Sequence, residues 1–141
     1  MFAVVRIRGT VKAKQDAVDT LKLLRLNRKM HCVILQTNDS YNGMLRKARD
    51  YITWGEISDD VLAKLIAKRG RKEGNVRLNE KDVKVIFDAL KAKGKVPEGV
   101  KPVFRLNPPS KGFDNGIKHH FPDGELGYRG EKINELLVRM I

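Results

Sequence analysis

Two periods of apolar residues alternate along the chain. Phe2 to Arg8 is rich in β-branched residues and predicts a strand that Gly9 ends, with Arg6 and Arg8 on one face. In Asp16 to Leu26 the apolar positions Ala17, Leu21 and Leu24, with Val18 beside them, recur at helical spacing. His31 to Gln36 is apolar on both faces and predicts an interior strand. Thr37 to Ser40 is a turn rich in helix caps. Tyr41, Met44, Leu45 and Ala48 then predict a second helix. Tyr51 to Ile57 is a third strand, in which at least one of Tyr51 and Trp54 is expected to pack in the core, with base stacking the alternative role for Trp54 if exposed. Residues 1–57 thus read β-α-β-α-β, a ferredoxin-like α/β core in which both helices lie on one face of a two-layer sandwich.

Residues 58–141 read as a mainly helical extension. Ser58 is placed to cap a helix with Asp59 and Asp60 in its first turn and Val61, Leu62, Leu65 and Ile66 as its buried stripe. Gly70 is expected to end it in the left-handed conformation. A basic turn, GRKEGNVR, follows. Asn79 caps the next helix, with Val83, Ile86, Phe87 and Leu90 inward and Gly94 at its end. VFRL is a short strand between two loops, and GFDNGIKHHFPDGELGYRG, with five glycines and one proline, is expected to be loop throughout. Its glycines would let the chain run close to a partner's backbone. Ile133, Leu136, Leu137 and Met140 describe a terminal helix that docks on the body.

Charge changes the picture from a plain α/β domain to a binder of polyanions. Lys and Arg number 29 against 17 Asp and Glu, a net charge of +12. The excess is clustered. Residues 1–30 hold eight basic side chains (Arg6, Arg8, Lys12, Lys14, Lys22, Arg25, Arg28, Lys29) against Asp16 and Asp19. Residues 64–77 hold six (Lys64, Lys68, Arg69, Arg71, Lys72, Arg77) against Glu73. Several acidic residues fall instead at helix starts, where the macrodipole accounts for them. Nucleic acid fits such a surface, because each neutralised phosphate releases counterions. RNA is favoured over DNA, since no helix-turn-helix, zinc-finger or basic-zipper pattern is present. The basic helices lack the bulky aromatic face of membrane-surface helices, and no segment approaches the ~18 apolar residues of a span. A soluble, intracellular protein is expected.

Candidate chemistry is sparse. Cys32 is the only cysteine and lies in an apolar strand, so neither a disulfide nor a thiolate zinc site is available. His119, His120, Asp123 and Glu125 are the best metal-ligand candidates by residue type. Adjacent histidines on an extended chain point in opposite directions, and Pro122 and Gly124 oppose the helical spacing of zinc proteases. No catalytic residue, metal or cofactor is expected. Two other readings stay open: a free-standing RNA- or DNA-binding regulator, and a metal-dependent nuclease or other hydrolase around His119 and Asp123.

In combination, the basic strand ending at Gly9, TLKLLRLNRKM followed at once by HCVIL, and NDSYNGMLRKARDYITWG resemble the universal large-subunit ribosomal protein thirty family. The close, FPDGELGYRG through EKINELLVRMI, resembles its long archaeal form, related to eukaryotic large-subunit protein seven. His119 and His120 depart from that pattern, in which a basic residue is expected at one of the two. The resemblance implies a non-enzymatic constituent of the cytoplasmic large ribosomal subunit. Its partners would be large-subunit ribosomal RNA, near the 5S RNA, and neighbouring ribosomal proteins, with no small-molecule substrate. The RNA contacts expected in the core are Arg6, Arg8, Lys12, Lys14, Arg25, Arg28, Lys29, Arg46 and Arg49. In the extension they are Lys68, Arg69, Arg71, Lys72, Arg105, Lys111, Lys118 and Arg129.

Overall fold

A computed structural model describes all 141 residues. The first half follows the predicted order: β1 (Phe2–Arg6), α1 (Gln15–Leu23), β2 (His31–Leu35), α2 (Asp39–Lys47) and β3 (Ile52–Glu56). α3 (Asp59–Arg69), α4 (Glu80–Lys93), β4 (Phe104–Arg105), β5 (Gly116–His120), β6 (Gly124–Tyr128), a 3-10 turn (Gly130–Lys132) and α5 (Ile133–Met140) complete it. The six strands form one sheet in the order β4-β2-β1-β3-β6-β5. β1 is antiparallel to both β2 and β3, β2 is antiparallel to β4, and β6 runs parallel to β3.

The central strands are apolar on both sides because helices cover both faces. On one face, Phe2, Val4, Val33, Ile52 and Trp54 pack with Leu21 and Leu24 of the first helical segment and Leu45 and Ala48 of the second. This is the predicted two-layer sandwich. On the other face, Ala3, Val5, Cys32 and Ile34 pack against α3, α4 and α5 through Leu62, Leu65, Ile66, Ile86, Leu90, Ile133, Leu136 and Leu137. Residues 58–141 thus cover the reverse of the sheet that residues 1–57 begin. Asn134 clasps the junction: it accepts from the Ser58 amide (2.8 Å) and donates to the Glu56 (3.2 Å) and Glu131 (3.0 Å) carbonyls.

The extension is less purely helical than its sequence suggests. The glycine-rich segment expected to be loop supplies β5 and β6, and β6 is buried from Gly124 to Gly127. The β6 glycines therefore face protein instead of lying open to a partner. At the neighbouring strand, a Cβ on Gly55 would overlap the Gly130 carbonyl. Gly70 also departs from expectation. Its backbone is extended (φ −64°, ψ 139°), and a side chain is excluded there by Leu78 and the Ile66 carbonyl. Gly94 takes the expected left-handed stop at φ 65°.

Candidate nucleic-acid interface

Capping sets the helix ends from which many cations project. The Asn38 side chain accepts from the Tyr41 amide at 2.8 Å, so α2 closes with Arg46 and Lys47 in its last turn. Ser58 accepts from the Val61 amide at 3.4 Å, and Lys68 and Arg69 occupy the last turn of α3. Cations at helix C-termini are favoured by the macrodipole. Lys12, Lys14, Arg25, Arg28, Lys29, Arg46, Arg49, Lys68, Arg105, Lys111 and Lys118 are all exposed. Lys and Arg form five ion pairs with carboxylates, and none of these eleven residues takes part in one.

Arg8 is half-buried. Its guanidinium lies 5.8 Å from the centre of the Tyr51 ring and donates to the Asp50 carbonyl at 3.4 Å. Lys72 pairs with Asp82 at 2.7 Å, and that contact and the Asn79 amide hold the Asp82 carboxyl below its ordinary range.

Two expected contacts are directed inward. Arg6 is buried and donates to the Arg8 carbonyl (3.1 Å), the Leu26 carbonyl (2.9 Å) and the Thr10 hydroxyl (3.2 Å). Burial lowers its pKa from the usual arginine value. It holds together the two loops from which Arg8, Lys12, Arg25 and Arg28 emerge. Arg129 is also buried, paired to Glu125 Oε2 at 2.7 Å and bonded to the Glu125 carbonyl and, at 2.8 Å, to Thr53 Oγ1. Thr53 donates in turn to the Gly127 carbonyl at 2.9 Å, so this cluster bridges β3 and β6. Arg6 and Arg129 thus direct their hydrogen bonds into the fold, Arg6 tying two loops and Arg129 the seam between β3 and β6. Arginine run-lengths in sequence do not distinguish such residues from surface ones, because the partners lie 20 and 76 positions away.

The histidine–carboxylate candidates are not brought together. Glu125 faces Arg129 and accepts from the Asn115 amide (3.0 Å), while His120 Nε2 meets Asp50 at 3.0 Å. No three His, Cys, Asp or Glu side chains converge in a metal-ligating arrangement. Cys32 is fully buried, and burial pushes its thiol up to about 12, far from a reactive thiolate. Trp54 is buried against Tyr128 with ring centroids 6.2 Å apart. The Tyr128 hydroxyl donates to Glu56 at 2.5 Å, which raises its pKa. No helix is long and apolar enough to cross a membrane.

Sequence reasoning missed His31 and Lys101. His31 lies opposite Arg105 in the β2–β4 register. Burial first, then the charges of Arg105, Arg28 and Arg6, depress its pKa. Lys101 sits in the loop GKVPEGVKP, and only the fold carries it to the basic turn: its amide donates to the Arg71 carbonyl at 2.9 Å.

A family model described as ribosomal protein L30p/L7e matches residues 2–52. Along its whole length the chain is similar to archaeal proteins named large ribosomal subunit protein uL30. It is 45% identical over 152 aligned positions to that of Methanosphaera stadtmanae, with 100% of both chains covered. It is 48% identical over 152 positions to that of Methanococcus vannielii, with 99% of each covered. It is 48% identical over 153 positions to that of Nanoarchaeum equitans, covering 100% of this chain and 99% of the relative.

Proposed function

The chain belongs to the ribosomal protein L30p/L7e family, and we propose that it is a structural constituent of the large ribosomal subunit that binds ribosomal RNA through basic loops and helix ends. The family role is structural and not enzymatic. The observation that carries RNA binding is the set of eleven exposed cations that take part in none of the chain's ion pairs. An unpaired cation keeps its full charge for a phosphate, and each phosphate met releases counterions. The α/β body supplies rigidity: Arg6 ties together two of the cation-bearing loops, so ordering them on RNA costs less entropy. The archaeal long-form resemblance supports a position near the 5S RNA.

Two measurements test this reading. In its native cells the protein should travel with large subunits through a salt wash on a sucrose gradient; recovery only at the top of the gradient would refute it. A nuclease-protection footprint should fall on large-subunit RNA, and protection of 5S RNA or its immediate surroundings checks the finer placement.

A further inference from the structure

The side chains of Arg69, Arg71, Lys101 and Arg105 line one narrow cleft of about 160 Å³, together with Asn75 and Val103. They come from three places in the sequence: the end of α3 and the turn after it, the loop before β4, and β4 itself. Backbone pairing joins them. Arg71 bridges Arg77, Lys72 bridges Val100, and the Lys101 amide bonds the Arg71 carbonyl, so the basic turn is stitched to the segment that leads into β4. Arg71 Nη1 is held by the Lys68 (3.0 Å) and Gly70 (2.8 Å) carbonyls, which fixes its guanidinium at the rim.

Two features mark this cleft off from the rest of the basic surface. Its lining holds four cations and no carboxylate. The larger groove beside β2 is different, since Arg25 and Lys95 there are offset by Glu73 and Glu98. Arg69 Nε, moreover, is enclosed and has no hydrogen-bond partner, the only buried side-chain nitrogen or oxygen in the chain in that state. Buried donors of this kind are normally satisfied, and Arg69 is one of the four cations that line this cleft. The cleft is small against the roughly 300–1,000 Å³ of sites that enclose whole small molecules. It suits a single phosphate group.

We propose that this cleft seats one backbone phosphodiester of RNA among the four cations Arg69, Arg71, Lys101 and Arg105 that line it. The inference rests on the RNA-binding reading above and adds a specific point of attachment. Because the cations come from α3, the basic turn and β4, the bound phosphate would also brace the turn against the sheet edge.

The test is the salt dependence of binding between the full-length protein and transcribed large-subunit RNA. Removing one phosphate contact lowers the slope of log affinity against log salt by about one, equivalent to roughly five-fold weaker binding at 0.15 M salt. The double variant R69Q/K101Q should lose about one slope unit in total, because both residues serve the same phosphate. K101Q/R105Q should do the same and serves if R69Q does not fold. The exposed-cation control K64Q should leave the loss at the cleft unmatched. An unchanged slope in both double variants, with wild type binding normally, overturns the cleft, and so does a loss of two units, which would mean separate phosphates. Failure of wild type to bind RNA overturns the underlying reading instead. Inorganic phosphate at fixed ionic strength separates the sources. The Arg69 Nε–H resonance should move with RNA at concentrations where phosphate alone leaves it in place; saturation by phosphate alone overturns the RNA assignment.

Discussion

Replacing Arg129 with leucine isolates the inward role of a residue whose sequence context suggests an RNA contact. The Arg129 and Glu125 side chains are 6% and 5% exposed, so R129L leaves a carboxylate buried with only the Asn115 amide facing it. It also removes the bonds to Thr53 Oγ1 and the Glu125 carbonyl. Breaking one partner of a buried pair typically destabilises by about 3–5 kcal/mol. A chain of 141 residues is expected to hold roughly 7–20 kcal/mol in all, so the variant stays folded when cool. Its melting temperature should fall by about 6–20 °C. The double variant E125L/R129L removes the orphaned charge, and it should recover most of the loss, falling short by about 1 kcal/mol for the Asn115 amide left without its acceptor. Urea unfolding followed through Trp54, the only tryptophan, reads this seam directly, because the Trp54 carbonyl accepts from the Arg129 amide at 2.9 Å. The midpoint should shift with the slope m unchanged. A loss below about 1 kcal/mol for R129L, or a double variant no better than the single, would refute the burial argument. Because Arg129 ties only the β3–β6 seam and no cation-bearing loop, RNA affinity of folded R129L should stay within about two-fold of wild type; a drop in salt slope of about one would place Arg129 on a phosphate after all.

Three further outcomes follow from local geometry. A Cβ at Gly43 on α2 meets nothing within 4 Å, so G43A should stabilise the free protein by about 0.5–1 kcal/mol, whereas G55A, forced into the Gly130 carbonyl, should destabilise by about 1–3 kcal/mol; thermal melts of the two decide it. His31 has a depressed pKa in the fold, so the unfolded chain binds the proton more tightly, and stability present above about pH 6.5 should decline as pH falls; H31N should flatten that slope, and an NMR titration midpoint at or above the ordinary histidine value would contradict it. Cys32, buried with its thiol raised to about 12, should resist iodoacetamide at pH 8 in native protein and react readily in urea; rapid native labelling would contradict the packing.

Most of the first half was legible because its signals are local. The caps at Asn38 and Ser58, the stripes Leu21–Leu24 and Leu62–Ile66, and the apolar strand at Cys32 each declare themselves within a few residues. β5 and β6 were not legible, since glycine-rich segments carry no strand periodicity. Gly124 to Tyr128 becomes a strand because β3 offers a free edge to pair with. The same holds for the interface. Lys12, Arg28 and Arg46 stand out by charge in the sequence, but so do Arg6 and Arg129, and which of them is exposed is decided by the fold.

The sequence by itself determined the order of the core elements and the strong positive charge, because periodicity, capping and composition are properties of neighbouring residues; its likeness to archaeal large-subunit proteins along the whole chain carried the family. Only the tertiary structure decided which arginines face solvent. Arg6 and Arg129 are drawn inside by carbonyls, two hydroxyls and a carboxylate, most of them on other elements of the fold. Arg69, Arg71, Lys101 and Arg105 are drawn together by backbone pairing across some thirty residues of chain. Charge is inherited from composition, but its direction is set by long-range packing, and direction is what an RNA backbone meets.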